Sequence, residues 1–155
     1  MRVGFGFDAH RFGGVGPLKL AGVIVAEDRG LEGTSDADVV AHAVADALLG
    51  AAARGDLGDH FPSDDPVWEG ADSMHLLARV VALVTDAGHA PSSVDLTVIA
   101  QSVRIAPHRQ GMRSRLAAVL GIGVDAVSVK ATSTDRMGSI GADEGMAALV
   151  VAVCS

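Results

Sequence analysis

The chain has no tyrosine, one tryptophan and four phenylalanines, so aromatics make up only 3% of its 155 residues. A core of the size this length allows must therefore be built from Val, Leu, Ile and Ala. Cysteine is nearly absent as well. Cys154 stands alone beside the last residue, which excludes an internal disulfide framework and suits a reducing compartment. The opening Met1-Arg2-Val3-Gly4-Phe5-Gly6 lacks the apolar stretch of a signal peptide, and the longest apolar run, Met146 to Cys154, is far short of a membrane span. Positive charge is scarce. Twelve Lys and Arg against 19 Asp and Glu leave a net charge of −7, which argues against nucleic acid or an anionic membrane as a partner. Walker A, G-x-G-x-x-G and G-x-S-x-G patterns are all missing, so nucleoside triphosphate, dinucleotide and serine-hydrolase readings lack support. The expectation is one cytoplasmic domain spanning residues 1–155.

Glycine, by contrast, is abundant, with 19 residues clustered around Gly4-Gly6, Gly13-Gly14-Gly16 and Gly138-Gly141-Gly145. Such clusters serve turns that need positive φ or places where backbone approaches closely. Arg2 to Phe7 reads as a strand, Gly13 to Pro17 as a turn, and Leu18 to Val25 as a hairpin. Ser35-Asp36-Ala37-Asp38 resembles a capping box with Ser35 as N-cap. Behind it Val39, Val40, Ala43, Val44, Ala47, Leu48 and Ala51 form an apolar helical stripe with a period of about 3.6 residues. Gly55 to Pro66 is a polar loop. A second helix starts at Asp72 or Ser73 and ends at Gly88, and a third runs from Pro107 to Leu120, closed by Gly121. Strands are expected at Val94–Ala100, Ala126–Ala131 and Gly145–Val153, the last apolar enough to be buried on both faces. Helices interleaved with strands suggest an α+β fold: a mixed four-stranded sheet, one layer of helices and a small hairpin.

Asp8-Ala9-His10 is the first group with chemical potential. In a strand alternate side chains share a face, so Asp8 and His10 project together. His42 lies among Val, Ala and Leu in the first helix, and an Asp/His/His set with an open fourth position is the arrangement of catalytic zinc. The structural alternative is a core histidine satisfied by Asp38 or Asp46, one turn to either side. His60, His75, His89 and His108 fall in loops or on polar helix positions and read as surface residues. Thr132-Ser133-Thr134-Asp135 follows a strand. It is either a phosphate-binding run whose carboxylate holds a hard cation, or a Ser/Thr-rich turn.

Taken in order, Arg2-Val-Gly-x-Gly-Phe-Asp8-Ala-His10, Ser35-Asp-x-Asp38, His42-Ala, Asp46-Ala-Leu-Leu-Gly-Ala-Ala, Gly55-Asp56-Leu-Gly58, Phe61-Pro62, Gly70-Ala-Asp72-Ser, Asp95-x-Thr97-x-Ile-Ala-Gln101, Pro107-His108, Val129-Lys-Ala-Thr132 and Glu144-Gly145 resemble the 2-C-methyl-D-erythritol 2,4-cyclodiphosphate synthase family. That resemblance implies a ferredoxin-like relative that assembles as a homotrimer, with active sites between neighbouring subunits. It implies Zn²⁺ held by Asp8, His10 and His42, and Mg²⁺ or Mn²⁺ on the diphosphate. The implied substrate is a cytidine diphosphate ester of methylerythritol 2-phosphate, cyclised with release of CMP. Thr34, Ser133 and Asp135 are implied at the chemistry, and Ser35, Thr132 and Thr134 among the residues that bind the substrate. Ala100, Gln101, Ser102, Val103, Arg104, Ile105 and Ala106 would receive the cytosine. Asp56, Leu57, Gly58, Phe61, Pro62, Ser63, Asp64 and Asp65 would receive the methylerythritol.

The chain also departs from that family. Thr34 replaces a histidine, and Ser63 an aspartate. Ser133 and Asp135 stand for threonine and glutamate, and Ser139 and Ala142 for phenylalanine and arginine. Losing that arginine removes a fixed donor for an anionic group. These departures leave room for a different phosphorylated substrate on the same fold, or for a vestigial metal-binding trimer.

Overall fold

A computed structural model describes residues Met1–Ser155. Its strands are β1 (Arg2–Gly14), β2 (Leu18–Leu20), β3 (Val23–Ala26), β4 (Gly30–Leu31), β5 (Pro91–Ile99), β6 (Val127–Thr132) and β7 (Gly145–Cys154). The helices are α1 (Val39–Ala52), α2 (Leu57–His60), α3 (Ser73–Asp86), α4 (Arg109–Leu120) and α5 (Gly138–Gly141). The main sheet has five strands in the order β4-β1-β7-β5-β6, and β2 and β3 pair as a separate hairpin. Within it β5 and β6 are parallel and the other pairs antiparallel. The expected four strands are therefore joined by a fifth, the two-residue β4, too short to show a period in sequence. β1 is also longer than expected. It continues through Asp8, His10 and Gly13, because β7 pairs with it as far as Arg11.

α1 packs on β1 and β7 and α4 on β6, while α3 packs against α1 and α4. The period of two in β1 sets the geometry: Gly4, Gly6, Asp8 and His10 point toward α1, while Val3, Phe5 and Phe7 point away and are exposed. A Cβ on Gly4 would lie 1.8 Å from the Ala47 carbonyl, and one on Gly6 would lie 1.9 Å from that of Ala43. Bare glycine against an alanine stripe lets strand and helix backbones touch. That contact brings the strand's next two inward residues, Asp8 and His10, level with the first turn of α1.

The cap of α1 is Asp38, not Ser35. Its carboxylate accepts from Val40 N and Ala41 N inside the helix and from Ala21 N and Gly22 N of the β2–β3 turn, at 2.7–3.2 Å. Burial pushes the Asp38 carboxyl up and these amide donors pull against it. Asp38 therefore welds the hairpin to the helix. α3 is capped by Asp72, and Gly121 closes α4 in the left-handed conformation at φ 68°. The polar loop after Gly55 contains the one-turn α2, closed by reciprocal bonds between Asp56 and Asp59.

Candidate metal centre

Asp8 Oδ2 lies 2.9 Å from His10 Nε2 and 3.0 Å from His42 Nδ1. The three ligand atoms lie within 4.8 Å of one another, and all three residues are half-buried. Strand periodicity delivers the first two and α1 the third. Each imidazole is held from behind. His10 Nδ1 is 2.7 Å from the Glu32 carbonyl, and His42 Nε2 is 2.9 Å from Ser73 Oγ and 3.1 Å from Ser35 Oγ. A carbonyl only accepts, so His10 carries its proton on Nδ1 and presents the Nε2 lone pair to Asp8. Two acceptors then face each other at hydrogen-bonding distance, which only a shared proton or cation makes favourable. Burial alone would raise the Asp8 carboxyl, but hydrogen bonds and charge from His10 and His42 outweigh it and hold it well below the usual range. The same bond raises His10 above its ordinary value against the pull of burial. One carboxylate and two imidazoles, each ring fixed by an outer partner, fit a borderline-soft divalent ion such as zinc.

Neither Asp38 nor Asp46 satisfies His42. Asp38 is committed to backbone amides, and Asp46 accepts from Leu57 N at 2.7 Å. The helical spacing of Asp38, His42 and Asp46 suggested a common polar face, but the inward turn of the N-cap separates Asp38 from it. Asp46 instead anchors the loop at α2, with its carboxyl raised by burial.

Beside the triad a cavity of about 220 Å³ is lined by His10, Thr34, Ser35, His42, Leu57, Gly58, Phe61, Ser63, Trp68 and Leu76. Phe61 meets Trp68 edge-on at 5.0 Å and 89°, so its far wall is apolar. Seven of the expected residues thus gather around His42: His10, Thr34, Ser35, Leu57, Gly58, Phe61 and Ser63. Pro62, Asp64 and Asp65 are exposed on the rim, where Asp65 caps the turn at Pro66 through Val67 N, and Asp56 is engaged with Asp59. A second cavity, of about 200 Å³, has His10, Arg11, Ser139, Ile140, Glu144 and Met146 among its lining residues. Ser139 therefore shares this second cavity with His10, and Ala142 is exposed nearby in sequence.

Residues 100–106 and 132–135 line neither cavity. They form a cluster of their own: Gln101 Oε1 accepts from Arg136 N, and Ser102 donates to Asp143, which also pairs with Arg29. Within it Ala100 and Ile105 are buried, Gln101 and Val103 half-buried, and Ser102, Arg104 and Ala106 exposed. Thr132, Ser133 and Asp135 are exposed and Thr134 half-buried, so these hydroxyls carry no burial cost. His60, His75, His89 and His108 stand outside the triad. The sequence reading missed Ser73, Asp36, Trp68 and the Glu32 carbonyl. Ser73 and Asp36 carried a signal, since both lie in the quoted motifs, but it read only as helix capping.

A sequence model of the YgbB family matches residues 1–155. The 2-C-methyl-D-erythritol 2,4-cyclodiphosphate synthase of Symbiobacterium thermophilum is 51% identical over 153 residues, covering 99% of this chain and 98% of that protein. The bifunctional IspDF of Campylobacter jejuni superposes with a TM-score of 0.95 at 41% identity, over 97% of this chain and 41% of that larger one. A structure of 2C-methyl-D-erythritol-2,4-cyclodiphosphate synthase in a CDP-bound form superposes with a TM-score of 0.90 at 28% identity, over 99% of this chain and all of that one. Full-length agreement in sequence and in fold places this chain in the YgbB family, as a lyase-class enzyme that performs a cyclisation in isoprenoid biosynthesis.

Proposed function

We propose that the chain converts 4-diphosphocytidyl-2-C-methyl-D-erythritol 2-phosphate into 2-C-methyl-D-erythritol 2,4-cyclodiphosphate and CMP. The observation that carries this reading is the convergence of Asp8 Oδ2, His10 Nε2 and His42 Nδ1 beside an apolar-walled cavity. An oxygen of the substrate's own 2-phosphate attacks the β-phosphorus. The bond from that phosphorus to the CMP oxygen breaks, and CMP leaves with the electron pair. Because both phosphates belong to one bent molecule, holding it folded supplies effective molarity. Zinc at the triad, with Mg²⁺ or Mn²⁺ on the diphosphate, supplies charge neutralisation on the phosphoryl oxygens. Leu57, Phe61, Trp68 and Leu76 enclose the methylerythritol carbons and exclude water, while Thr34 and Ser35 offer hydroxyls to its phosphates. Backbone of 100–106 takes the cytosine. Thr132, Ser133 and Thr134 would steady the diphosphate, and Asp135 would help hold the second cation, which would supply charge neutralisation there.

This reading needs a homotrimer of single-domain subunits. Two observations support it. The nucleotide cluster and the metal cavity are separate within one chain, as expected where neighbouring subunits complete each site. The sheet face opposite the helices also exposes Val3 at 62%, Phe5 at 63%, Phe7 at 51% and Val151 at 42%, an apolar patch of the kind that marks association. CMP release from the cytidylated substrate, followed with and without Zn²⁺ and Mg²⁺, tests the whole. Stoichiometric, metal-dependent CMP is expected, and undiminished turnover by metal-stripped protein would overturn the proposal. Thr34, Ser139 and Ala142 favour one alternative, a different phosphorylated metabolite at the same metal. Zinc binding without CMP release would select it.

A further inference from the structure

The hydrogen bonds behind His42 form a directed chain that continues past Ser73. Ser73 Oγ lies 2.9 Å from His42 Nε2 and makes a short contact to Asp36 Oδ1. Ser73 is 1% exposed and is the first residue of α3. Its hydroxyl has one proton. A carboxylate accepts and does not donate, so that proton goes to Asp36. The Ser73 oxygen must then accept from His42, which places the imidazole proton on Nε2 and leaves the Nδ1 lone pair facing Asp8. The other oxygen, Asp36 Oδ2, is buried without a hydrogen-bond partner, with Lys19 Nζ at 3.6 Å. Leaving a carboxylate oxygen there costs stability. Asp36 Oδ1 also accepts from Ser73 N at 3.2 Å, so Asp36 shares the start of α3 with Asp72, which accepts from Met74 N at 2.8 Å, but neither bond reaches Asp36 Oδ2.

We infer that Ser73 and Asp36 are positioning residues that fix the tautomer of His42 and thereby set the metal affinity of the site. This rests on the reading of Asp8, His10 and His42 as metal ligands. The two histidines then use opposite nitrogens, His10 through Nε2 with the Glu32 carbonyl behind it, His42 through Nδ1 with Ser73 and Asp36 behind it. An acceptor chain ending in a carboxylate makes the imidazole a stronger donor to the metal, an effect worth about 10- to 100-fold in affinity where outer partners have been removed. Without Ser73, His42 has only Ser35 Oγ at 3.1 Å, already an acceptor for Ala37 N.

The test is zinc affinity by chelator competition, together with ¹⁵N-histidine NMR of the zinc-loaded protein, which reports the protonated nitrogen of each ring. The wild type should bind zinc with His42 protonated at Nε2 and His10 at Nδ1. Ser73→Ala should weaken zinc about 10- to 100-fold, with the helical circular dichroism retained. Ser73→Thr, which keeps the hydroxyl, should recover most of that loss. Asp36→Asn keeps an acceptor for Ser73 but removes the charge, so it should show a smaller loss and guards against a folding defect in Ser73→Ala. Wild-type affinity and an unchanged Nε2–H in both Ser73→Ala and Asp36→Asn would overturn the inference while leaving the metal reading intact. Failure of the wild type to bind zinc would overturn both.

Discussion

Gly6 of β1 lies directly against the Ala43 carbonyl of α1, so closely that a Cβ at position 6 would sit 1.9 Å from that oxygen and 2.8 Å from Ala47 N. Both obstacles are backbone and cannot rotate aside. Gly6→Ala must therefore push α1 off the sheet and carry His42 away from Asp8. The expected cost is at least about 1–3 kcal/mol of stability, the range for overpacking a close-packed interior, with loss of zinc in the same variant. Denaturant titration and metal analysis check it. A stable Gly6→Ala protein with full zinc content would show that the strand–helix contact does not set the ligand spacing.

Metal removal gives a second prediction. A ligand that binds only the folded state stabilises it, by about 2.7 kcal/mol at a hundredfold excess over its dissociation constant. Chelation of the wild type should lower its melting temperature, and readdition of zinc should restore it. His42→Ala should melt at one temperature with or without chelator, and its CMP release should fall by orders of magnitude. A chelator shift of unchanged size in His42→Ala would place the stabilising metal elsewhere.

The first half of the site was legible because its residues obey local periods. Gly4, Gly6, Asp8 and His10 alternate on one strand, and the apolar stripe around His42 repeats at the helical period, so both elements could be drawn and faced toward each other. What stayed hidden depends on contacts far along the chain. Ser73 reaches His42 across 31 residues and Asp36 across 37, and in the sequence both look like capping residues. Asp38 was misjudged for a related reason. Its role in joining the hairpin to α1 comes from Ala21 and Gly22, 17 and 16 residues back, so the cap was assigned to Ser35 on local pattern alone. β4 escaped because two residues cannot display alternation. The roles expected of Thr34 and residues 100–106 rest on resemblance alone, and residues 132–135 showed only a run of hydroxyls that reads equally as a turn, since no period or spacing in the sequence joins any of them to the triad.

Asp38→Asn provides a third prediction. Oδ1 accepts from Ala21, Val40 and Ala41, and Oδ2 accepts from Gly22 at 2.7 Å. An asparagine has one acceptor oxygen, so whichever way it turns, its NH₂ faces a backbone N–H in a buried site. Leaving such groups unsatisfied costs about 1–3 kcal/mol, and more where a charge-assisted bond is lost. The midpoint of urea denaturation should fall accordingly, with Asp38→Ala lower still. An Asp38→Asn protein with the wild-type midpoint would mean that these four bonds contribute nothing net.

The exposed side of the sheet yields the last prediction. Phe5 sits between Val3 and Phe7 on β1, and its Cα partner on β7 is Val151, so the four make one apolar surface across two strands. Burying a phenylalanine or valine in an interface stabilises it by about 1.5–3 kcal/mol, and a threefold assembly buries each position three times. Phe5→Glu places three carboxylates in that contact, each desolvated and without a partner. Sedimentation should find the wild type trimeric and Phe5→Glu monomeric. The monomer should keep its zinc, because Asp8, His10 and His42 come from one chain. It should release little CMP, because residues 100–106 and 132–135 would no longer meet a neighbour's metal cavity. A monomeric wild type, or a Phe5→Glu monomer with full turnover, would instead put the whole active site inside a single subunit.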